Sequence, residues 1–468
     1  MGRGTWLTID LRRPCPLSRD RGSTLLSGRD HASSPGVGRL DEMLPCLVHW
    51  VRIAEFWRNV MKRYGILAAS VVIQLVLGSV YAWSTIAQEL TSLHGFAAWQ
   101  TQFIYGMIIF VFSVSLILGG RLFRKRGPRY TATWGGILFG SSYLLAAVLP
   151  LEPLVLIFLL GGLSGFSIGL GYACPLSTGV AWFPKHKGLV TGVAVFGFGG
   201  GAILANQVYV QILASGGSVQ QIFLLTGAIG GGLVVLSAQV LALPDKVRSL
   251  SSTAVPAIQQ GFLKSPSFWR LALGLGLGSA SGLLLIGRAA GIAVDLGFAE
   301  SAAAALPAMA VAAVSVGNAS GRLFWGWLND RIPGLTIPLS LGLATLSALG
   351  LLLAGTSPVL FIILMAMSGL LFGGSLVVYA AHSELVFGQG ALARVYPFIF
   401  MFYGAAAIIG PSLGGVMYDV TGNSTGPIIL AAALPFAGLI MTTVLRRFES
   451  TEVNQAATAE EQGSQALA

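Results

Sequence analysis

Of the 468 residues only 10% are charged and 54% are hydrophobic, with a mean hydropathy of +0.76. Soluble globular domains carry roughly 25% charged residues, so this balance excludes that class. The net charge of +10 does not mark a nucleic-acid binder, because the cations are scattered between apolar runs and form no single patch.

Residues 1–60 hold nine Arg and six acids without a regular apolar period. They lack the apolar core of a secretory signal. Two readings are open: a disordered N-terminal extension, or upstream sequence included by a mis-assigned start, since Met61-Lys62-Arg63 opens the first apolar run. Residues 47–60 have the pattern of a short amphipathic surface helix. Apolar segments long enough to cross a bilayer follow at 64–88, 99–122, 130–150, 153–182, 188–213 and 219–243. Six more follow at 269–294, 301–328, 335–355, 358–386, 395–417 and 425–445. The expected fold is all-α: an integral membrane protein of twelve helices in two six-helix bundles. Residues 61–244 form the first bundle, 245–268 a cytoplasmic linker, 269–447 the second bundle and 448–468 a disordered tail with four Glu. The 62 glycines suit close helix packing in a membrane. Cys15, Cys46 and Cys174 lie far apart and read as free thiols.

Charge sets the expected orientation. With the first helix starting inside, the inside connections hold Arg124-Lys125-Arg126, Arg129, Lys185, Lys187, Lys246, Arg248, Lys264, Arg270, Arg331, Arg394 and Arg446-Arg447. The outside connections hold Glu89, Glu152, Asp295, Glu300 and Asp419, with no Lys or Arg. This positive-inside pattern places both termini in the cytoplasm and fits a bacterial inner membrane.

The halves repeat. Ser164-Gly165-Phe166-Ser167-Ile168-Gly169 recurs 204 residues later as Ser368-Gly369-Leu370-Leu371-Phe372-Gly373. Gly120-x3-Arg124-Lys125 recurs 206 residues later as Gly326-x3-Asp330-Arg331. Gly-Arg-Leu-Phe at 120–123 and 321–324 has an offset of 201, so Arg121 and Arg322 are not equivalent. Such a repeat belongs to transporters, with the substrate site near the midplane between halves.

Arg322 stands out inside an apolar helix, eight residues before Asp330 and hence about 12 Å away at 1.5 Å per residue. A guanidinium there is costly and faces a cavity or a partner, and its fork matches a carboxylate. Snorkelling to the headgroups is the other reading. Arg288 lies near the outer face, either paired with Asp295 or Glu300 or drawing anions into an outer vestibule.

The loop Gly326-x3-Asp330-Arg331 resembles the signature of the major facilitator superfamily, although Arg124 replaces its Asp in the first half. Leu77-Gly78-Ser79-Val80-Tyr81-Ala82-Trp83-Ser84, Gly188-Leu189-Val190-Thr191-Gly192, Gly321-Arg322-Leu323-Phe324-Trp325-Gly326-Trp327 and Arg394-Val395-Tyr396 resemble the oxalate/formate antiporter family. Monocarboxylate porters are related, with an Asp-x3-Arg pair that here reads Asn318-x3-Arg322. The resemblance implies that Arg322 binds the anion and that the loop with Gly326, Asp330 and Arg331 is a structural brace working by charge pairing. It also implies that helices one, four, ten and eleven border a central cavity. That makes Tyr81, Trp83, Tyr172, Tyr379 and Tyr403 candidate lining residues, with Asn318, Asn206 and Gln207 as polar candidates. Oxalate carriers have a Lys where Tyr403 stands, so one cation is left to balance one carboxylate.

No acid of the membrane body lies at midplane depth, which leaves His382 near the cytoplasmic end as a candidate proton relay or an interfacial hydrogen-bonder. Nothing resembles a nucleotide loop, a catalytic triad or a metal cluster, so neither an enzyme nor a cofactor is expected. The expected function is transport of a small organic anion, a monocarboxylate, by exchange in a monomeric carrier. A proton-coupled porter and a membrane sensor that binds the anion without moving it are the alternatives.

Overall fold

The computed structural model describes residues 61–183, 187–244, 261–297, 306–388 and 395–466. The expected N-terminal extension, its surface helix, Cys15, Cys46, most of the linker, and Glu300 and Arg394 lie outside the described residues. Residues from Ile66 onward form one compact unit.

Among the described residues, ten helices are long and apolar enough to cross a membrane. One of them, Ala98–Val148, breaks at Gly127, whose φ of 82° with ψ of 172° favours glycine, and Pro128 restarts the helix. Leu306–Arg331 is less apolar because it holds Asn318, Arg322, Asp330 and Arg331, yet its 26 residues suffice for a crossing. The helices are therefore α1 Met61–His94, α2 98–126, α3 128–148, α4 Pro153–Trp182, α5 Lys187–Ala214 and α6 Val219–Val240. They continue as α7 Pro266–Asp295, α8 Leu306–Arg331, α9 Pro333–Leu351, α10 Pro358–Phe387, α11 Tyr396–Thr421 and α12 Thr425–Ala466. The backbone of α12 runs on as helix to Ala466, into the 448–468 segment expected as a tail. Ala, Glu and Gln are strong helix formers, and here they extend a helix already nucleated. Successive helices alternate in direction, so Glu89, Glu152, Asp295 and Asp419 gather at one end, the acidic face. Arg124, Arg331 and Arg446 gather at the other, the basic face.

Large side chains point out as well as in. Leu154, Phe158, Leu236, Leu353 and Val420 are among the many exposed apolar residues, as a chain solvated by lipid requires. Between helices the packing is close and glycine-mediated. A Cβ on Gly369 would sit 2.0 Å from the Val314 carbonyl oxygen, and one on Gly373 would sit 2.1 Å from that of Asn318. The first half repeats this seam: a Cβ on Gly165 would lie 2.6 Å from the Ile108 oxygen. Ile108 and Val314 are 206 residues apart, Gly165 and Gly369 are 204 apart. The α2–α4 and α8–α10 seams are thus equivalent. In that register Arg322 corresponds to Leu116 and not to Arg121.

Gly369→Val should therefore force α8 and α10 apart, an overpacking penalty of about 1–3 kcal/mol. Gly120→Ala, with nothing within 4 Å of the added carbon, is the control. Thermal unfolding in detergent should show a lower midpoint for the first variant and little change for the second.

Candidate functional site

Arg322 is 3% exposed and sits between the first six and the last six helices. Its Nε donates to Asn318 Oδ1, one turn earlier, at 3.4 Å. Its Cζ lies 5.8 Å from the centroid of Phe198 on α5, within cation–π range. Gly199 next to that ring lets α5 approach, since a Cβ there would come within 3.1 Å of Arg322 Nε. Both terminal guanidinium nitrogens, and Asn318 Nδ2, are buried with no hydrogen-bond partner.

Aromatic rings enclose this group. Tyr81 on α1 meets Phe198 and Phe372 edge to face at 5.4 and 5.7 Å. Phe112 on α2 touches Tyr172, Phe198 and Phe400. Phe400 stacks on Tyr403 at 4.8 Å, and the Tyr81 and Tyr403 hydroxyls are 3.3 Å apart. Tyr81 is aimed by a break in its own helix. Over Gly78–Ala82, α1 tightens into a 3-10 turn where Gly78 abuts the Phe198 carbonyl. Such a turn inside a long helix is a recurrent sign of a hinge.

The structure thus gathers Arg322, Asn318, Tyr81, Tyr172 and Tyr403. It does not gather the other expected lining residues. Trp83 is a strut, its indole N–H donating to the Thr101 carbonyl at 3.0 Å. Tyr379 turns into the last six helices and lines a small cavity with Ser281, Ser340 and Ser375. Gln207 is exposed on the outer surface of α5. Asn206 points inward, accepting from Thr85 Oγ1 at 2.5 Å and donating to the Ala308 carbonyl at 3.1 Å. Phe112, Phe198, Phe372, Phe400 and Tyr396 escaped sequence reasoning, because a Phe in an apolar helix looks the same whether it faces lipid or a chamber.

The remaining charged candidates lie elsewhere. Arg288 pairs with Asp295 at 3.6 Å and lies 3.7 Å over the Tyr418 ring. His382 sits near the basic face, its Nδ1 and Nε2 each 2.9 Å from a carbonyl oxygen, of Val378 and Pro333. Beyond the Gly326 turn, Arg331 covers the Trp327 ring at 4.0 Å, and Asp330 is exposed. Asp330 makes no ion pair among the described residues in this conformation, and the brace is expected in one conformation of the carrier only. Asn329 braces that end, accepting from Thr336 Oγ1 at 2.9 Å. Cys174 is a buried free thiol, as expected. No group of three or more metal-ligating side chains occurs among the described residues.

At the acidic face the two sets of six helices are tied together. The Asp419 carboxylate on α11 accepts from the backbone N–H groups of Ala98 and Trp99, both at 2.9 Å, at the start of α2. An anion at a helix N-terminus is held by unpaired N–H groups and the helix dipole. Gln102 on α2 donates to the Gly287 carbonyl on α7 at 2.9 Å.

A twelve-helix bundle with an internal repeat and a buried cation between the repeats is the architecture of a secondary transporter. The chain belongs to the major facilitator superfamily. The family description, Major Facilitator Superfamily, matches residues 280–467. The chain is 30% identical over 355 residues to an uncharacterized MFS-type transporter, YhjX, of Escherichia coli, spanning 74% of this chain and 86% of that one. It is 27% identical to the oxalate:formate antiporter of Oxalobacter formigenes, over 82% of this chain and 91% of that one. It is 26% identical to human monocarboxylate transporter 11, over 73% and 74% of the two chains. The fold is like that of a bacterial homologue of the human lysosomal transporter Spinster. The TM-score is 0.61 at 13% identity, covering 83% of this chain and 96% of that one.

The Asp419 contact is testable. Asp419→Asn removes a charge-assisted interaction of about 1.5–3 kcal/mol. In an Ala98→Cys background, the thiol, buried in this state, should then react faster with a polar maleimide; an unchanged rate would show that the contact does not hold this end closed.

Proposed function

We propose that this transporter carries a small monocarboxylate, with Arg322 as its main ligand, by alternately opening the two faces around the central chamber. The supporting observation is the Arg322 guanidinium itself: buried between the two sets of six helices, with Nη1 and Nη2 unbonded. A desolvated cation with free donors in an aromatic enclosure favours a planar anion that takes two parallel hydrogen bonds. The apolar rings suit the carbon chain behind the carboxylate, and the paired hydroxyls of Tyr81 and Tyr403 supply a polar rim. One cation balances one carboxylate. The names of two relatives, an oxalate:formate antiporter and a monocarboxylate transporter, agree with this class. We place the carrier as a monomer in a bacterial plasma membrane with both termini in the cytoplasm, the basic face inside, because cations are retained on that side.

Snorkelling fits Arg322 less well, since its terminal nitrogens are buried and not at a headgroup surface. Arg322→Gln should weaken binding of a carboxylate roughly 10–150-fold, the equivalent of about 1.5–3 kcal/mol, with insertion preserved. Arg322→Lys should recover only part of the loss, because an ammonium lacks the fork. Tyr403→Lys should shift preference towards a dianion. Equilibrium binding of labelled carboxylates to purified variants measures all three, and wild-type affinity in Arg322→Gln would end this assignment.

Exchange is the expected mode, since the chamber residues named above include no carboxylate. A second reading, proton coupling, is favoured by His382. A neutral imidazole donates to one carbonyl only, whereas the protonated ring donates to both Val378 and Pro333. Proton flux measured alongside substrate uptake in vesicles separates the two. Exchange predicts no fixed stoichiometry; a fixed one that disappears in His382→Gln supports the relay.

A further inference from the structure

A second polar cavity lies towards the acidic face, away from the Arg322 chamber. Its volume is about 220 Å³, and Ser84, Gln88, Thr101, Gln102, Arg288 and Tyr418 are among its lining residues. At roughly 30 Å³ per water molecule, this admits a small organic solute. The walls come from α1, α2, α7 and α11, so both sets of six helices contribute.

Three of the lining side chains are more than nine-tenths buried and carry a polar atom with no hydrogen-bond partner. They are Arg288 Nε, Ser84 Oγ and Gln102 Oε1. Other contacts hold these groups in place. The guanidinium is clamped by Asp295 and the Tyr418 ring, and Asp295 is itself held by the hydroxyls of Tyr418 and Ser424. Gln102 is oriented by its bond to the Gly287 carbonyl, and its oxygen lies against Gly287 on the cavity wall without a donor. Buried polar atoms left unpaired are costly, so a cluster of three around one cavity marks a place where a ligand completes the bonding. The set is two donors, one of them cationic, and one acceptor.

We infer that this cavity is a second anion site, which takes a small carboxylate bearing a hydroxyl group. The carboxylate meets Arg288 and Ser84, and the hydroxyl donates to Gln102. The inference rests on the reading of the protein as a carboxylate carrier and adds a station on the route to Arg322. Tyr105 separates the two places. It lies one turn from Gln102 on α2, and both pack against Gly287. The Tyr105 hydroxyl is also buried without a partner. Substrate held at Arg288 is thus one aromatic layer from the central guanidinium.

The test is equilibrium binding of labelled glycolate and acetate to the full chain in nanodiscs. Wild type should show two classes of site, with the weaker class preferring glycolate over acetate roughly 2–10-fold, the span of one hydrogen bond. Arg322→Gln should lose the tighter class and keep the weaker. Arg288→Gln should do the reverse. Ser84→Val leaves the Arg288–Asp295 pair intact and should also lose the weaker class, which covers the case in which Arg288→Gln fails to fold. A weaker class that survives both Arg288→Gln and Ser84→Val, or a single class in wild type, overturns the inference. If instead Arg322→Gln leaves both classes unchanged, the central assignment fails and the outer one is still judged by Arg288 and Ser84.

Discussion

Keeping a guanidinium inside an apolar bundle is the constraint on which the rest of this structure turns. A charge removed from both water and headgroups carries a penalty of several kcal/mol. The protein offsets it only partly, through one long bond to Asn318 and the face of the Phe198 ring. Everything packed around Arg322 is consistent with leaving the other two nitrogens available. The Tyr81 and Tyr403 hydroxyls lie 3.3 Å apart, and that of Tyr396 donates to the Leu376 carbonyl. A purely structural cation would be expected to find a carboxylate, as Arg288 does with Asp295.

The glycine seams make such a chamber feasible. Where α8 meets α10, backbone lies against backbone, and Asn318 is pinned from behind by Gly373. With Asn318 fixed, the guanidinium one turn later has a defined origin. The same seam between α2 and α4 fixes Phe112 on the opposite wall. Two copies of one packing motif thus present unlike groups, a cation on one side and a ring on the other, to a shared interior. The surfaces between the two seams carry rings and isolated polar bonds, together with a glycine contact of α2 on α11, where a Cβ on Gly415 would lie 2.5 Å from Trp99 Cα. The rings and polar bonds can part and re-form without dismantling either seam.

Closure at the acidic face combines glycine-mediated packing of α2 on α11 with a small set of polar contacts. A carboxylate on two backbone N–H groups at the start of α2 and a glutamine on a backbone carbonyl are strong when dry and replaceable by water when wet. Such contacts suit a surface that must open. The polar cavity beside them, with Arg288 clamped on Tyr418, brings a buried cation to that acidic end.

Much of this was legible in the chain alone. Long apolar runs report crossing helices because lipid offers no partner for the backbone. The alternation of basic and acidic connections gives helix direction, and a lone arginine within an apolar run announces itself by its cost. The pairing of Arg322 with Asn318 follows from a four-residue helical spacing. What the chain could not decide is azimuth, the side of a helix on which a residue ends up facing a neighbour. Trp83 and Tyr379 lie on chamber-lining helices, yet one braces α2 and the other turns into its own half. Phe112, Phe198, Phe372 and Phe400 carry no polar signal and became visible only once four helices met around Arg322. Apolar sequence records that a residue avoids water. Only the tertiary packing determines whether it does so against lipid, against a neighbouring helix or around a ligand.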